Sequence, residues 1–139
     1  MGKRILVPFD GSPPSERALE FATSEWPEAT VTLLNVINPG EAGYTAGSGV
    51  PSGAEQWFES AKADAEELLA EATTGLEGRV DTMVEVGRPA GTIVEVADEA
   101  GYTHVVMGSH GREGIRRVLL GSVTEAVIRD TVVPVTVVP

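Results

Sequence analysis

Two glycine-bearing segments hold the residues whose types and spacing could do chemistry. Gly108-Ser109-His110-Gly111-Arg112-Glu113-Gly114 follows an apolar run, and Gly121-Ser122-Val123-Thr124-Glu125 opens a helical pattern. Glycines let backbone N–H groups approach a phosphate without a Cβ in the way. A helix N-terminus adds unpaired N–H donors and about half a positive charge. Together the two segments predict a site that binds a phosphate group.

Ser122 also has a purely structural interpretation. The spacing Ser122-x-x-Glu125 fits a capping box with Ser122 as the N-cap, which would contribute about 1 kcal/mol of stability. Both roles are compatible if the hydroxyl turns toward a bound phosphate. The sequence contains neither G-x-x-x-x-G-K-[ST] nor a G-x-G-x-x-G after its first apolar run, so two better-known phosphate motifs are excluded.

The sequence offers no set of catalytic residues. It lacks the G-x-S-x-G nucleophile elbow, and nothing in it is placed to orient an attacking water. It contains no cysteine, which excludes disulfides, zinc thiolates and thiol chemistry. His104 and His110 are its two histidines, so no histidine metal site is expected. We therefore predict binding, with slow hydrolysis at most.

Three arginines lie between the glycines of the two segments, at positions 112, 116 and 117. In an acidic chain they could contact or screen phosphates. They could equally form a solvated helix face paired with Glu113. Both interpretations stay open.

Apolar runs alternate with helical patterns along the chain and must position these segments. Strands are predicted at 5–9, 31–37, 80–86, 104–107 and 132–138. Helices are predicted from an N-cap at Ser12 to about residue 26, over 54–73, around 93–100 before Gly101, and from Ser122. Residues 38–53 are rich in Gly, Pro, Ser and Thr and are predicted to form a flexible loop. The alternation predicts an α/β fold with a parallel sheet covered on both faces.

Composition limits the classes of function. The chain has 139 residues, 42% of them apolar, which suits one globular domain. Ten Lys plus Arg against 21 Asp plus Glu give a net charge of −11, which argues against binding to nucleic acid or anionic membranes. No apolar run approaches the about 20 residues of a membrane helix, so a cytoplasmic protein is expected. Many glutamates with few lysines fit a halophilic source or a merely acidic bacterial protein.

The glycine spacing resembles a family signature. Gly108-x-x-Gly111, nine residues and then Gly121-Ser122 match G-x2-G-x9-G-[ST], which is typical of the universal stress protein family. Segments 5–12, 33–36, 105–111 and 133–138 are similar to the family in the same order, so the resemblance covers essentially the whole chain. The intact signature resembles the ATP-binding branch. It implies one domain over 1–139 with a Rossmann-like fold, a single open five-stranded sheet in the order 3-2-1-4-5.

In such a sheet a ligand binds beyond the carboxyl ends of the strands where the order reverses, here between strands one and four. The resemblance implies that Pro8, Asp10 and Val36 line the adenosine end of ATP with Met107 near it. It implies that ribose and phosphates are surrounded by Gly108, Gly111, Gly121, Ser122 and Val123, with Thr124 close by.

Asp10 has two interpretations. A carboxylate would repel bare phosphates, so Asp10 is expected to face the ribose or base, or to approach a Mg²⁺ or Mn²⁺ ion that bridges phosphate oxygens. Alternatively it forms an Asx turn before Gly11.

The predicted strand 132–138 lies at the sheet edge in this order. Pro134 is tolerated there, and a bare valine-rich edge favours association. Because family dimers pair this strand with its two-fold mate, the resemblance implies a C2 homodimer. It also implies an ATP-binding stress-response regulator. The alternatives are a scaffold that binds no nucleotide and a slow ATPase, and AMP or cyclic AMP could replace ATP as the ligand.

Overall fold

The fold is built on one parallel sheet. The computed structural model describes residues 2–41, 51–109 and 120–139. Its strands are β1 (Arg4–Pro8), β2 (Thr30–Ile37), β3 (Val80–Val86), β4 (His104–Gly108) and β5 (Val135–Val138). Neighbouring strands pair in parallel in the order β3-β2-β1-β4-β5. The predicted fold class and strand order are confirmed.

Helices cover both faces of the sheet. They are α1 (Pro13–Glu25), α2 (Pro51–Ala72), α3 (Pro89–Glu99) and α4 (Ser122–Asp130), with a 3-10 turn at Pro39–Glu41. Successive strand residues point to opposite faces. Ile5 and Val7 therefore pack in a core with α1 and α2, whereas Leu6 packs in a second core with α3 and α4.

Two predicted helix boundaries are confirmed by their caps. Ser12 is the N-cap of α1, where its hydroxyl accepts from the N–H of Ser15 at 3.4 Å and Pro13 takes the first helical position. Gly101 follows the last turn of α3 with a φ of +78°. Such a left-handed conformation favours glycine just beyond a helix end.

The predicted flexible loop 38–53 is wrong at both ends. Residues 39–41 form the 3-10 turn, and α2 begins at Pro51 rather than at residue 54. Proline is favoured in a first helical turn because the N–H that it lacks would have no intrahelical acceptor there. Residues 42–50 lie outside the described residues.

The last strand is shorter than predicted, since β5 begins at Val135 rather than at Val132. Asp98 of α3 holds the preceding segment away from the sheet: its Oδ1 accepts from the Thr131 hydroxyl at 2.6 Å and from the Val132 N–H at 3.3 Å. Val132 is consequently 86% exposed. Pro134 precedes the strand, and its carbonyl accepts from the Val105 N–H at 2.9 Å.

β5 is attached to β4 by side chains as well as by backbone. His104 Nε2 lies 2.7 Å from the Thr136 hydroxyl. Burial, and secondly the charge of Lys3, lower the pKa of His104. The neutral ring is thus the form that joins the two strands near neutral pH.

Within the three described ranges, we find no helix with the length and apolar character needed to cross a bilayer.

Candidate functional site

A pocket of about 570 Å³ lies beyond the carboxyl ends of β1 and β4, where the strand order reverses. Its size suits a small-molecule ligand. The structure brings nine of the predicted site residues to its lining: Pro8, Asp10, Val36, Met107, Gly108, Gly121, Ser122, Val123 and Thr124. The tenth, Gly111, lies outside the described residues, as do His110 and the three clustered arginines.

Sequence reasoning missed eight further lining residues. They are Phe9, Ser12, Ser15, Leu34, Asn35, Asn38, Pro89 and Ile93. Asn35 had a usable signal, because a side-chain amide stands inside an otherwise apolar part of β2. Pro89 and Ile93 carried no such sequence signal, because α3 reaches the pocket only by packing against the sheet.

The N-terminus of α4 differs from the predicted capping box. Gly121 is the N-cap and Ser122 is the first helical residue, with no side-chain capping bond. The Gly121 N–H donates to the Ser109 carbonyl at 2.7 Å, and the Gly121 carbonyl accepts from the Glu125 N–H at 3.0 Å. This first turn closes one residue earlier than predicted, so Glu125 stands four residues after the N-cap and the box spacing is lost.

The start of α4 presents to the pocket three N–H donors that have no acceptor within the helix. The first intrahelical bond runs from the Glu125 N–H to the Gly121 carbonyl. The N–H groups of Ser122, Val123 and Thr124 precede that bond and have no acceptor within the helix. All three residues line the pocket. Their donors and the helix dipole make this end suitable for an anion.

The start of α1 also reaches the pocket but offers no such donors. Pro13 and Pro14 carry no N–H. The Ser15 N–H donates to the Ser12 hydroxyl at 3.4 Å, and the Glu16 N–H donates to the Ser12 carbonyl at 3.0 Å. An anion in the pocket is therefore favoured at α4 rather than at α1.

Gly108 at the end of β4 and Thr124 in α4 are hydrogen-bonded to each other, and both line the pocket. Thr124 is 2% exposed, and its hydroxyl donates to the Gly108 carbonyl at 2.9 Å. A Cβ at Gly108 would lie 2.6 Å from Pro14 Cβ and 2.8 Å from the Pro14 carbonyl carbon. Gly108 is glycine because β4 packs against α1 at this point. This contact is a second reason for a glycine at position 108, beside the close approach to a phosphate that the sequence predicts.

Asp10 forms the Asx turn that the sequence left open. Its Oδ1 accepts from the Ser12 N–H at 3.0 Å, and Gly11 between them has a φ of +83°. Although the chain carries a net charge of −11, Asp10 is the one charged side chain among the described lining residues. Among the described residues, the excess negative charge is thus kept away from the pocket wall.

The backbone of Val36 faces the pocket from β2. The Leu34 carbonyl accepts from the Phe9 N–H at 2.8 Å on the β1 side, and the Ile37 carbonyl accepts from the Gly87 N–H at 2.9 Å on the β3 side. Because strand residues alternate between sides, the N–H and C=O of Val36 point to the β1 side. The β1–β2 pairing ends at Pro8 and Leu34, so Val36 presents a donor and an acceptor beyond the end of β1.

Among the described residues, no group of three or more His, Cys, Asp or Glu side chains could hold a metal ion. From these residues Asp10 alone could supply a carboxylate to a cation in the pocket. Any remaining ligands of such a cation would come from phosphate oxygens and water.

The model of the Universal stress protein family matches residues 1–139. The chain belongs to the universal stress protein family. This confirms the resemblance carried by the glycine signature.

Relatives agree over nearly the whole chain. Universal stress protein MJ0577 of Methanocaldococcus jannaschii is 33% identical, covering 99% of this chain and 95% of that protein. Its solved structure has a TM-score of 0.85 over 99% of this chain and 96% of that one. A universal stress protein solved in complex with cAMP is 26% identical, with a TM-score of 0.63 over 99% and 96% of the two chains. A family protein of Arabidopsis thaliana solved with AMP bound has the same fold, at 16% identity and a TM-score of 0.67 over 98% and 90%.

Proposed function

We propose that this universal stress protein binds ATP in the pocket between β1 and β4 and acts as a cytoplasmic, homodimeric regulator in a stress response. The observation that carries the proposal is the row of N–H donors at the start of α4, which have no acceptor within the helix and belong to residues that line the pocket. The intact glycine signature favours a polyphosphate ligand. The family member solved with cAMP favours an adenine base.

The phosphates belong at the start of α4 in this proposal. The N–H groups of Ser122, Val123 and Thr124 would donate to them, beside Gly121 and the segment that contains Gly111. The N-terminus of α1 offers no comparable N–H donors, so the phosphates would bind at the start of α4 rather than at the start of α1. A Mg²⁺ or Mn²⁺ ion would bridge the phosphate oxygens and relieve repulsion from Asp10.

The adenosine belongs at the β1–β2 side, against Pro8, Val36 and Met107. The Watson–Crick edge of adenine carries an acceptor at N1 and a donor at the exocyclic amine. The Val36 N–H and C=O offer the matching donor and acceptor. Guanine has the opposite pattern at these positions, so the proposal includes a preference for ATP over GTP.

The first test is the nucleotide content of the purified protein. We expect denaturation to release an adenine nucleotide in near-stoichiometric yield, or the nucleotide-free protein to bind Mg-ATP by calorimetry. A ligand at 100 times its Kd stabilises the fold by about 2.7 kcal/mol, so Mg-ATP should raise the Tm by about 5–10 °C. GTP at the same concentration is the control. Absence of released nucleotide together with absence of a Tm shift would favour the scaffold, and rapid phosphate release would favour the ATPase.

The homodimer is proposed through β5. Val138 O accepts from the Ser109 N–H, and Pro134 O accepts from the Val105 N–H. The backbone N–H and C=O groups of the even-numbered residues of β5 therefore point toward β4. By strand alternation, the N–H and C=O groups of Val135 and Val137 face outward along the sheet edge. No described strand pairs with this edge, and an edge of this kind is a template for pairing with a second copy.

We expect Val137→Pro to convert the dimer into a folded monomer. Proline removes an outward N–H and leaves the β4–β5 hydrogen bonds in place. Light scattering measures the mass, and far-UV circular dichroism checks the fold. Thr136→Pro is the matched control. The backbone N–H of residue 136 points toward β4, so its removal should destabilise the sheet itself. A Val137→Pro protein that stays dimeric would refute pairing through this edge.

A further inference from the structure

The hydrogen bonds between β1 and β2 end in an irregular way at the pocket. In a parallel ladder, the Phe9 N–H bond to Leu34 O would be followed by a bond from the Val36 N–H to Phe9 O. Within the described part of the chain, Phe9 O accepts instead from the side-chain amide of Asn35, at 2.9 Å. A side chain has taken the place of the next backbone donor.

We propose that Asn35 is a positioning residue for base recognition, because its amide satisfies Phe9 O and so keeps the Val36 N–H free for the ring nitrogen of an adenine. This inference rests on the proposed function. Asn35 and Val36 both line the pocket. Asn35 acts through Val36 and need not touch the nucleotide.

The chemistry explains why an amide stands in β2. A partly buried carbonyl requires a donor. With an apolar side chain at 35, Phe9 O either stays unpaired or accepts from the Val36 N–H. The second arrangement extends the β1–β2 ladder by one bond and removes the donor that distinguishes adenine from guanine. Asn35 prevents the formation of this additional hydrogen bond between β1 and β2.

Two measurements test this role. We expect the Val36 amide hydrogen of the nucleotide-free wild-type protein to exchange rapidly, and to be slowed by ATP. In Asn35→Leu it should exchange slowly without nucleotide, because it now bonds to Phe9 O. The ratio of ATP to GTP affinity should fall about tenfold, the loss of one neutral hydrogen bond. Affinity for inorganic tripolyphosphate should not change.

Asn38→Leu is the matched control. Asn38 lines the same pocket, but its Oδ1 accepts from the nearby Gly40 N–H at 2.9 Å. Its loss should leave the exchange of the Val36 amide in the nucleotide-free protein as in wild type, because Phe9 O keeps its bond from Asn35.

Slow exchange of the Val36 amide in the nucleotide-free wild type would overturn the inference without any variant having to fold. So would an Asn35→Leu protein that keeps the wild-type ATP to GTP ratio. If wild type binds no nucleotide, yet its Val36 amide exchanges rapidly and becomes protected in Asn35→Leu, the proposed function fails while the positioning of the N–H by Asn35 is upheld.

Discussion

Ser122→Pro should lower the affinity for Mg-ATP by about 10- to 100-fold while α4 stays folded. The variant removes one backbone N–H from the start of the helix. A hydrogen bond to a charged group contributes about 1.5–3 kcal/mol, which corresponds to this loss in binding. Calorimetry measures the affinity, and circular dichroism with a thermal scan verifies the helix and the fold.

The structure explains why proline is tolerated at this position. Ser122 is the first helical residue, where the proline ring fits and no helical hydrogen bond is lost. Gly121 before it has φ −72° and ψ 164°, the extended conformation that a residue preceding proline adopts.

Ser122→Ala is the control for the side chain, because it removes the hydroxyl and keeps the N–H. If the proline variant binds Mg-ATP as tightly as the alanine variant, the α4 backbone does not hold the phosphates. The proposed orientation of the nucleotide would then be wrong.

Gly108→Ala should lower the free energy of unfolding by about 3 kcal/mol and the Tm by about 10 °C. The added methyl group would lie 2.6 Å from Pro14 Cβ and 2.8 Å from a backbone carbon. Neither atom is the end of a flexible side chain, so β4 and α1 must move apart. Urea unfolding measures the loss.

Gly91→Ala in α3 is the matched control. A Cβ at Gly91 would meet no atom within 4 Å. Alanine in a helix is favoured over glycine by about 1 kcal/mol, so this variant should be as stable as wild type or more so. A Gly108→Ala protein with wild-type stability would show that Pro14 does not constrain this position.

The sequence predicted the framework because hydrophobic periodicity is a local property. The apolar runs of β2 and β3 and the Ser12-Pro13 cap need no knowledge of the rest of the chain. The strand order came from the family resemblance and is confirmed by the pairing. The location of the pocket was also predictable, because the carboxyl ends of β1 and β4 must meet at the reversal of strand order. Nine of its lining residues came from the family resemblance, and eight others were missed.

The errors arose where a distant group decides a local conformation. β5 begins three residues late because Asp98 on another helix binds Thr131 and Val132. Ser122 is not the N-cap because the Ser109 carbonyl holds the N–H of Gly121. The contact of Gly108 with Pro14 joins residues that are far apart in the sequence. No pattern within a single segment carries such information.

The bonds between Ser109 and Gly121 and between Gly108 and Thr124 have a consequence for redesign of the chain. They fasten the end of β4 directly to the first turn of α4 through atoms of the described residues. A shift of the α4 N-terminus when a ligand binds would therefore be carried into the end of β4. A fluorescent label at this junction would then report occupancy of the pocket.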